Sequence, residues 1–263
     1  MKKFTLVPLF ILACLTFACG SNPSSAPEAA PEVETIVAST LQALTPAAPS
    51  APVYQFENIS IAIPAALGTG ATPSKTDDVE LPFINPSNGP MPQHTVLEIS
   101  GYPLVRSARI MVFKASEYAA YTELTQKIIN TLQTRTYETA QTAPEELTLG
   151  PLGPQTQSLS SENGHGLRYV TEILTAVVPV SNDQIFYYYQ GVTNDGNYFV
   201  SAILPVNASV LVSNEVPFPD TGNAQDFDLY FAAVSKNLSD ADPSEFQPAL
   251  GLLDSLIQSI TIQ

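Results

Sequence analysis

The chain predicts an α+β domain: a mainly antiparallel sheet with helices packed on it. Three observations lead there. Residues 185–193 and 197–205 are rich in Ile, Tyr, Phe, Val and Leu and are joined through Asn194-Asp195-Gly196. Asp-Gly between two such runs favours a tight hairpin, because both residues tolerate positive φ. Apolar residues also recur at helical spacing in three separate segments outside that hairpin. The chain then closes on residues 259–263, which return to a strand-like run.

Taken in order, the domain begins near Val53. Residues 53–63 alternate and read as one strand ending at Pro64. Residues 68–93 carry Pro73, Pro82, Pro86, Pro90 and Pro92 and no periodicity, so they read as a long loop. Loops of that length are usually functional or disordered. Residues 94–102 and 108–114 read as two strands. A first helix follows, with Ser116 as cap and Tyr118, Tyr121, Leu124, Ile128 and Leu132 on one face. Residues 166–177 read as a strand leading into the hairpin. If Asp195-Gly196 is the hairpin loop, Val192 faces Phe199 and Tyr188 faces Ile203 on one side, while Tyr189 faces Ala202 and Tyr187 faces Leu204 on the other. Both faces are mostly apolar, which places the hairpin centrally with cover on both sides. Asn223 caps the second helix, whose stripe is Phe227, Phe231, Val234 and Leu238. Asp242, Pro243 and Glu245 form a capping-box start for the third, with Phe246, Leu250, Leu253, Ile257 and Ile260 as its stripe. One domain over residues 53–263 accounts for all of this.

The amino terminus carries different information. Lys2 and Lys3 precede an apolar run over residues 4–17, and Ala18-Cys19-Gly20 follows. A charged start, a short apolar run and small residues at the break are the parts of a secretory signal over residues 1–18. The run is too short for an ordinary membrane span, which needs about 20 residues. The junction resembles the bacterial lipobox, in which the cysteine is acylated and becomes the first mature residue. That resemblance implies lipidation at Cys19 and a location on the extracytoplasmic face of a cell membrane or envelope. Residues 19–52 are rich in Pro, Ala, Ser and Glu and read as a tether. Within it Val33, Ile36, Val37, Leu41 and Leu44 fall at helical spacing, giving a spacer helix or a short docking helix.

Charge and cysteine content bound the function. Ten basic against 25 acidic residues give a net charge of −15. Removing Lys2 and Lys3 leaves 8 against 25, or −17. Such a surface repels nucleic acid and anionic lipid. The two cysteines are Cys14, inside the signal, and Cys19. No disulfide, thiol catalysis or zinc cluster follows. No phosphate-binding glycine loop and no Gly-x-Ser-x-Gly occurs, and the absence of Trp disfavours sugar stacking. No cofactor or metal is expected. Asp240, Asp242, Ser244 and Glu245 invite a calcium reading, but Pro243 breaks the loop and capping explains Asp242 and Glu245. His94 and His165 read as exposed residues, a strand opening and a turn; a hydrolase built on His165 and a nearby serine is the remote alternative. Tyr187, Tyr188 and Tyr189 are the most distinctive residues. They read either as a buried strand or as a ligand or partner surface.

Residues 166–171, 186–191, 195–201 and 252–260, with the lipobox and the Ala/Pro/Thr spacer, resemble a group of uncharacterised bacterial envelope lipoproteins. That resemblance implies an envelope location and brings no activity. The element order is also similar to that of the Mog1/PsbP-type α/β sandwich, an analogy of fold alone. The expected function is a non-enzymatic binding or assembly module, with the membrane as one partner through the acyl anchor and an envelope protein as another. A small-ligand carrier or sensor, with a cleft between the sheet and the 68–93 loop, is the alternative.

Overall fold

In the computed structural model the Asp-Gly hairpin forms the middle of a seven-stranded antiparallel sheet. The structure describes residues 51–77, 91–139, 144–148, 150–172, 178–212, 216–220 and 222–263. These belong to one compact unit, Ser50–Gln263. The signal, Cys19 and the 32–44 stripe lie outside the described residues.

The elements are β1 (Val53–Phe56), β2 (Ile59–Ala62), β3 (Gly70–Thr76), β4 (His94–Ser100), β5 (Arg109–Lys114), α1 (Ala115–Ala119), α2 (Glu123–Thr134), β6 (Gln157–Ser160), β7 (Gly164–Glu172), β8 (Ile185–Thr193), β9 (Tyr198–Pro205), β10 (Asn207–Ala208), α3 (Ser209–Val212), α4 (Ala224–Asp240), β11 (Phe246–Gln247), α5 (Leu250–Gln258) and β12 (Thr261–Ile262). The large sheet runs β3-β4-β5-β9-β8-β7-β6, and a small one runs β1-β2-β12. The α+β class is as the sequence indicates.

The hairpin register is the one read from the sequence: Val192 opposite Phe199, Tyr188 opposite Ile203, Tyr189 opposite Ala202 and Tyr187 opposite Leu204. Gly196 alone of the turn pair takes positive φ, 71°. The two faces of the sheet feed two cores because successive side chains alternate. Met111, Phe113, Tyr188, Phe199 and Ile203 pack under α1 and α2, against Tyr118, Ile128, Ile129 and Leu132. Ile110, Val112, Tyr187, Tyr189, Ala202 and Leu204 pack under α4, α5 and the small sheet, against Tyr230, Val234, Leu238, Leu253 and Ile257. Phe199 is fully buried, stacked on Tyr118 at 4.3 Å.

Four readings need correction. Residues 53–63 are two strands, not one: the chain reverses at Glu57, whose φ is 53°, and Phe56 pairs with Ile59. Within 68–93, residues 70–76 are an edge strand paired with β4, and Pro73 sits opposite Leu97. An edge tolerates proline because one side of its ladder is unpaired. Residues 78–90 of that segment lie outside the described ones. The first helix is two, and Ser116 is not its cap. Thr122, extended at φ −148°, caps α2 in a reciprocal box with Thr125. The break shifts the helical phase, so Thr125 and Ile129 turn inward while Leu124 is 47% exposed. The third helix is also divided. Asp242 does cap, with Glu245 returning to its N–H, but over a single 3-10 turn, Pro243–Glu245. Pro248 lacks an N–H and forces the preceding residue out of helical geometry, so α5 starts at Leu250. All five residues of that stripe are nonetheless buried. The strand read over 166–177 is observed over Gly164–Glu172, and residues 173–177 lie outside the described ones. β6 had no sequence signal.

Candidate functional site

Tyr187, Tyr188 and Tyr189 lie in the interior, so the surface reading of these three is corrected. Their exposures are 0%, 0% and 6%. Tyr188 lies edge-on to Tyr169 at 5.6 Å and accepts a hydrogen bond from Ser201 Oγ at 3.1 Å. Tyr189 folds over two facing glycines. A Cβ on Gly191 would come within 2.0 Å of the Tyr189 hydroxyl, and one on Gly166 within 2.6 Å. Gly166 and Gly191 are register partners, so their missing side chains open a slot in the sheet face that the ring fills.

Tyr187 belongs to a buried polar cluster that spans the sheet and α5. Its hydroxyl donates to Asp254 Oδ1 at 2.8 Å. Arg168 on β7 donates to the same carboxylate through Nε at 3.2 Å and Nη2 at 3.3 Å, and to Gln157 Oε1 at 2.6 Å. It also donates to the Gln155 carbonyl. Burial and the neighbouring Asp254 carboxylate push the Tyr187 phenol well above its ordinary range. Every donor here is committed to another protein group, so the cluster holds α5 on the sheet.

The histidines are interior too, which corrects both exposed readings. His165 is 5% exposed. Arg135 Nη2 lies 2.9 Å from Nδ1, and the Leu132 carbonyl lies 3.2 Å from Nε2. Arginine can only donate, so Nδ1 accepts and Nε2 carries the hydrogen. The ring thereby ties β7 to the end of α2. His94 is 3% exposed, stacked on Phe113 at 4.2 Å, with Nδ1 3.0 Å from the Pro92 carbonyl. Asp240 pairs with Lys236, while Asp242 and Glu245 close the capping box. Among the described residues, no group of three or more His, Cys, Asp or Glu side chains could hold a metal.

Glu172, at the end of β7, was not singled out by the sequence. Its exposure is 0%, and among the described residues neither carboxylate oxygen has a hydrogen-bond partner. Desolvation pushes its pKa up from 4.5 to about 7.

The open geometry lies elsewhere. A groove runs between the β1–β2 turn and the β3–β4 edge. One part holds about 290 Å³ and is lined by Phe56, Glu57, Pro73, Ser74, Lys75 and Thr95. The other holds about 170 Å³ and adds Asn58, Val112, Lys114 and Tyr198. Both lysines are exposed, Lys75 paired with Glu57 at 2.8 Å and Lys114 with Glu117 at 2.9 Å. Two cations beside apolar walls stand out on so acidic a chain. A recess of about 410 Å³ lies over the first turns of α4, between Phe218, Pro219, Leu229 and Tyr230. No family model, curated protein or solved structure matches this chain.

Proposed function

We propose that this protein is an extracytoplasmic lipoprotein, held to a membrane by acyl chains on Cys19 and acting as a non-enzymatic binding or assembly module of the cell envelope. The observation that carries the reading is the amino-terminal order Lys2-Lys3, apolar residues 4–17, Ala18-Cys19. An acidic chain gains little from anionic head groups, so the acyl anchor supplies the membrane affinity. With the tyrosines and histidines in the interior, a binding role would fall to the grooves and loops. Expression with labelled palmitate and membrane fractionation tests the reading. Wild type takes up label and pellets with membranes. A Cys19→Ser form takes up none and its membrane-bound fraction falls. Equal labelling of the two would defeat the proposal.

A second reading is favoured by the groove at β3. Its walls come partly from the 68–93 segment, and Lys75 and Lys114 suit the acidic head of a small amphiphile. A small-ligand carrier or sensor would bind there. A fatty acid should raise the melting temperature of wild type and do so much less for Lys75→Ala. No shift in either would remove this reading.

A further inference from the structure

The loop Gly101–Ser107 between β4 and β5 carries Tyr102-Pro103-Leu104-Val105, four apolar residues in succession. Val105 is fully exposed at its tip, and Pro103 is exposed beside it. Pro103 and Val105 are exposed while Tyr102 and Leu104 are half-buried beside them, so the tip offers a small apolar patch to a contact. The loop is also braced from below. Arg106 donates through Nη1 to the Ile185 carbonyl at 3.0 Å, and through Nη2 to the Asn182 and Val206 carbonyls at 2.7 and 3.0 Å. Its guanidinium lies 4.7 Å from the centre of the Phe186 ring. The Tyr102 hydroxyl donates to the Pro205 carbonyl at 2.7 Å, and Ile99 N–H donates to the Ala108 carbonyl at 2.9 Å across the loop base. The tip is therefore held out on a rigid support.

The first described residues lie at the same end of the domain. Pro52 accepts a hydrogen bond from Ile63 N–H at 3.1 Å. Tyr54 donates to the Thr69 carbonyl at 2.6 Å, and Thr69 N–H donates to the carbonyl of Ser100, the residue before the loop, at 2.8 Å. Val53, 68% exposed, stands on the strand between them. α3 hangs from the same support, since Ala208 N–H donates to Asn182 Oδ1 at 2.7 Å, and its Val212 is 82% exposed.

We infer that the Gly101–Ser107 loop is a membrane-surface contact, inserting Val105 and Pro103 into the interface of the bilayer that carries the Cys19 anchor. This rests on the anchor reading above. Residues 20–50 separate Cys19 from the domain, 31 residues in all. Even fully extended, 31 residues reach no more than about 110 Å, so the domain is confined near the lipid and its effective concentration there is high. A small apolar tip, too weak to hold a free protein on lipid, suffices when tethered beside it. The contact is apolar because a net charge of −17 after removal of residues 1–18 disfavours anionic head groups.

The test uses full-length protein purified from membranes, in which a cysteine placed at 105 is the free thiol. Val105→Cys and, as a control on α2, Lys127→Cys carry an environment-sensitive fluorophore in protein-free phosphatidylcholine vesicles. Emission at 105 shifts to the blue on reconstitution, and lipids with shallow spin labels quench it roughly twofold more than at 127, as expected for a residue in the interface. A probe at 105 as wet as the one at 127, in protein that floats with the vesicles, overturns the inference and leaves the anchor intact. Shielding in native membranes but not in pure lipid assigns the loop to a protein partner and also overturns it. Protein that does not float overturns the anchor reading and this inference together.

Discussion

At Glu172 burial works directly against the charged form. Its pKa lies near 7 in the folded protein against 4.5 in an exposed chain, so the folded state holds the extra proton between those values. Stability is therefore full below pH 4.5, falls as pH rises through that window and has lost its whole share above pH 7. The shift corresponds to about 3 kcal/mol. Glu172→Gln keeps the shape without the charge. Urea titrations should show this variant about 3 kcal/mol more stable than wild type at pH 8 and close to it at pH 4.5. A constant difference across that range would refute the account of this side chain. The same scale explains what was hidden around His165. Asn163-Gly164-His165-Gly166 reads as a turn because of its glycines. Gly166 is there instead because the Tyr189 ring lies across it, and that packing cannot be seen from local sequence.

Among the elements, the β8–β9 hairpin was legible down to its register, because the apolar alternation of both strands fits only that pairing, although Asp195 does not take the positive φ its turn reading allowed. Helix stripes were legible as buried faces, yet helix ends were not. Thr122 and Thr125 form a capping box inside an unbroken apolar stripe, so the periodicity masks the break between α1 and α2. Pro248 was visible in the sequence, and its power to split the third helix should have outweighed the stripe around it. β6, Gln-Ser-Leu-Ser, carries too little apolar alternation to be read, and it is a strand because β7 offers it a partner. The attachment of α5 was also out of reach, since Arg168 and Asp254 are far apart in the chain. Removing one member of a buried ion pair strands the other, at about 3–5 kcal/mol. Asp254→Ala should lose that much in equilibrium denaturation, and Asp254→Asn less, since it still accepts from Tyr187 and Arg168. An Asp254→Ala loss below about 1 kcal/mol, the size of an exposed pair, would deny the cluster its role.

At the scale of the whole molecule, the chain closes on itself: Thr261 and Ile262 pair with β2, and Gln263 N–H donates to the Asn58 carbonyl at 2.9 Å. The start of the domain is thus locked by its last strand, and Val53–Phe56 reaches the base of the apolar Gly101–Ser107 loop through Tyr54, Thr69 and Ser100. A strongly acidic chain with that loop near its first strand fits the proposal of a protein kept at a lipid surface by acyl chains and not by charge. The candidate site was the least legible part. The residues of greatest chemical interest, the tyrosines and histidines, went into the core, while the groove lysines and the loop tip have no motif. The proposal of an anchor rests on the signal-like order that ends at Ala18-Cys19. Mass spectrometry of the native protein's amino terminus tests it most directly. Residues 1–18 absent and Cys19 carrying the mass of a diacylglycerol with or without a further acyl chain is the predicted result. A chain that begins at Met1, or a mature terminus with a free Cys19 thiol, would contradict it.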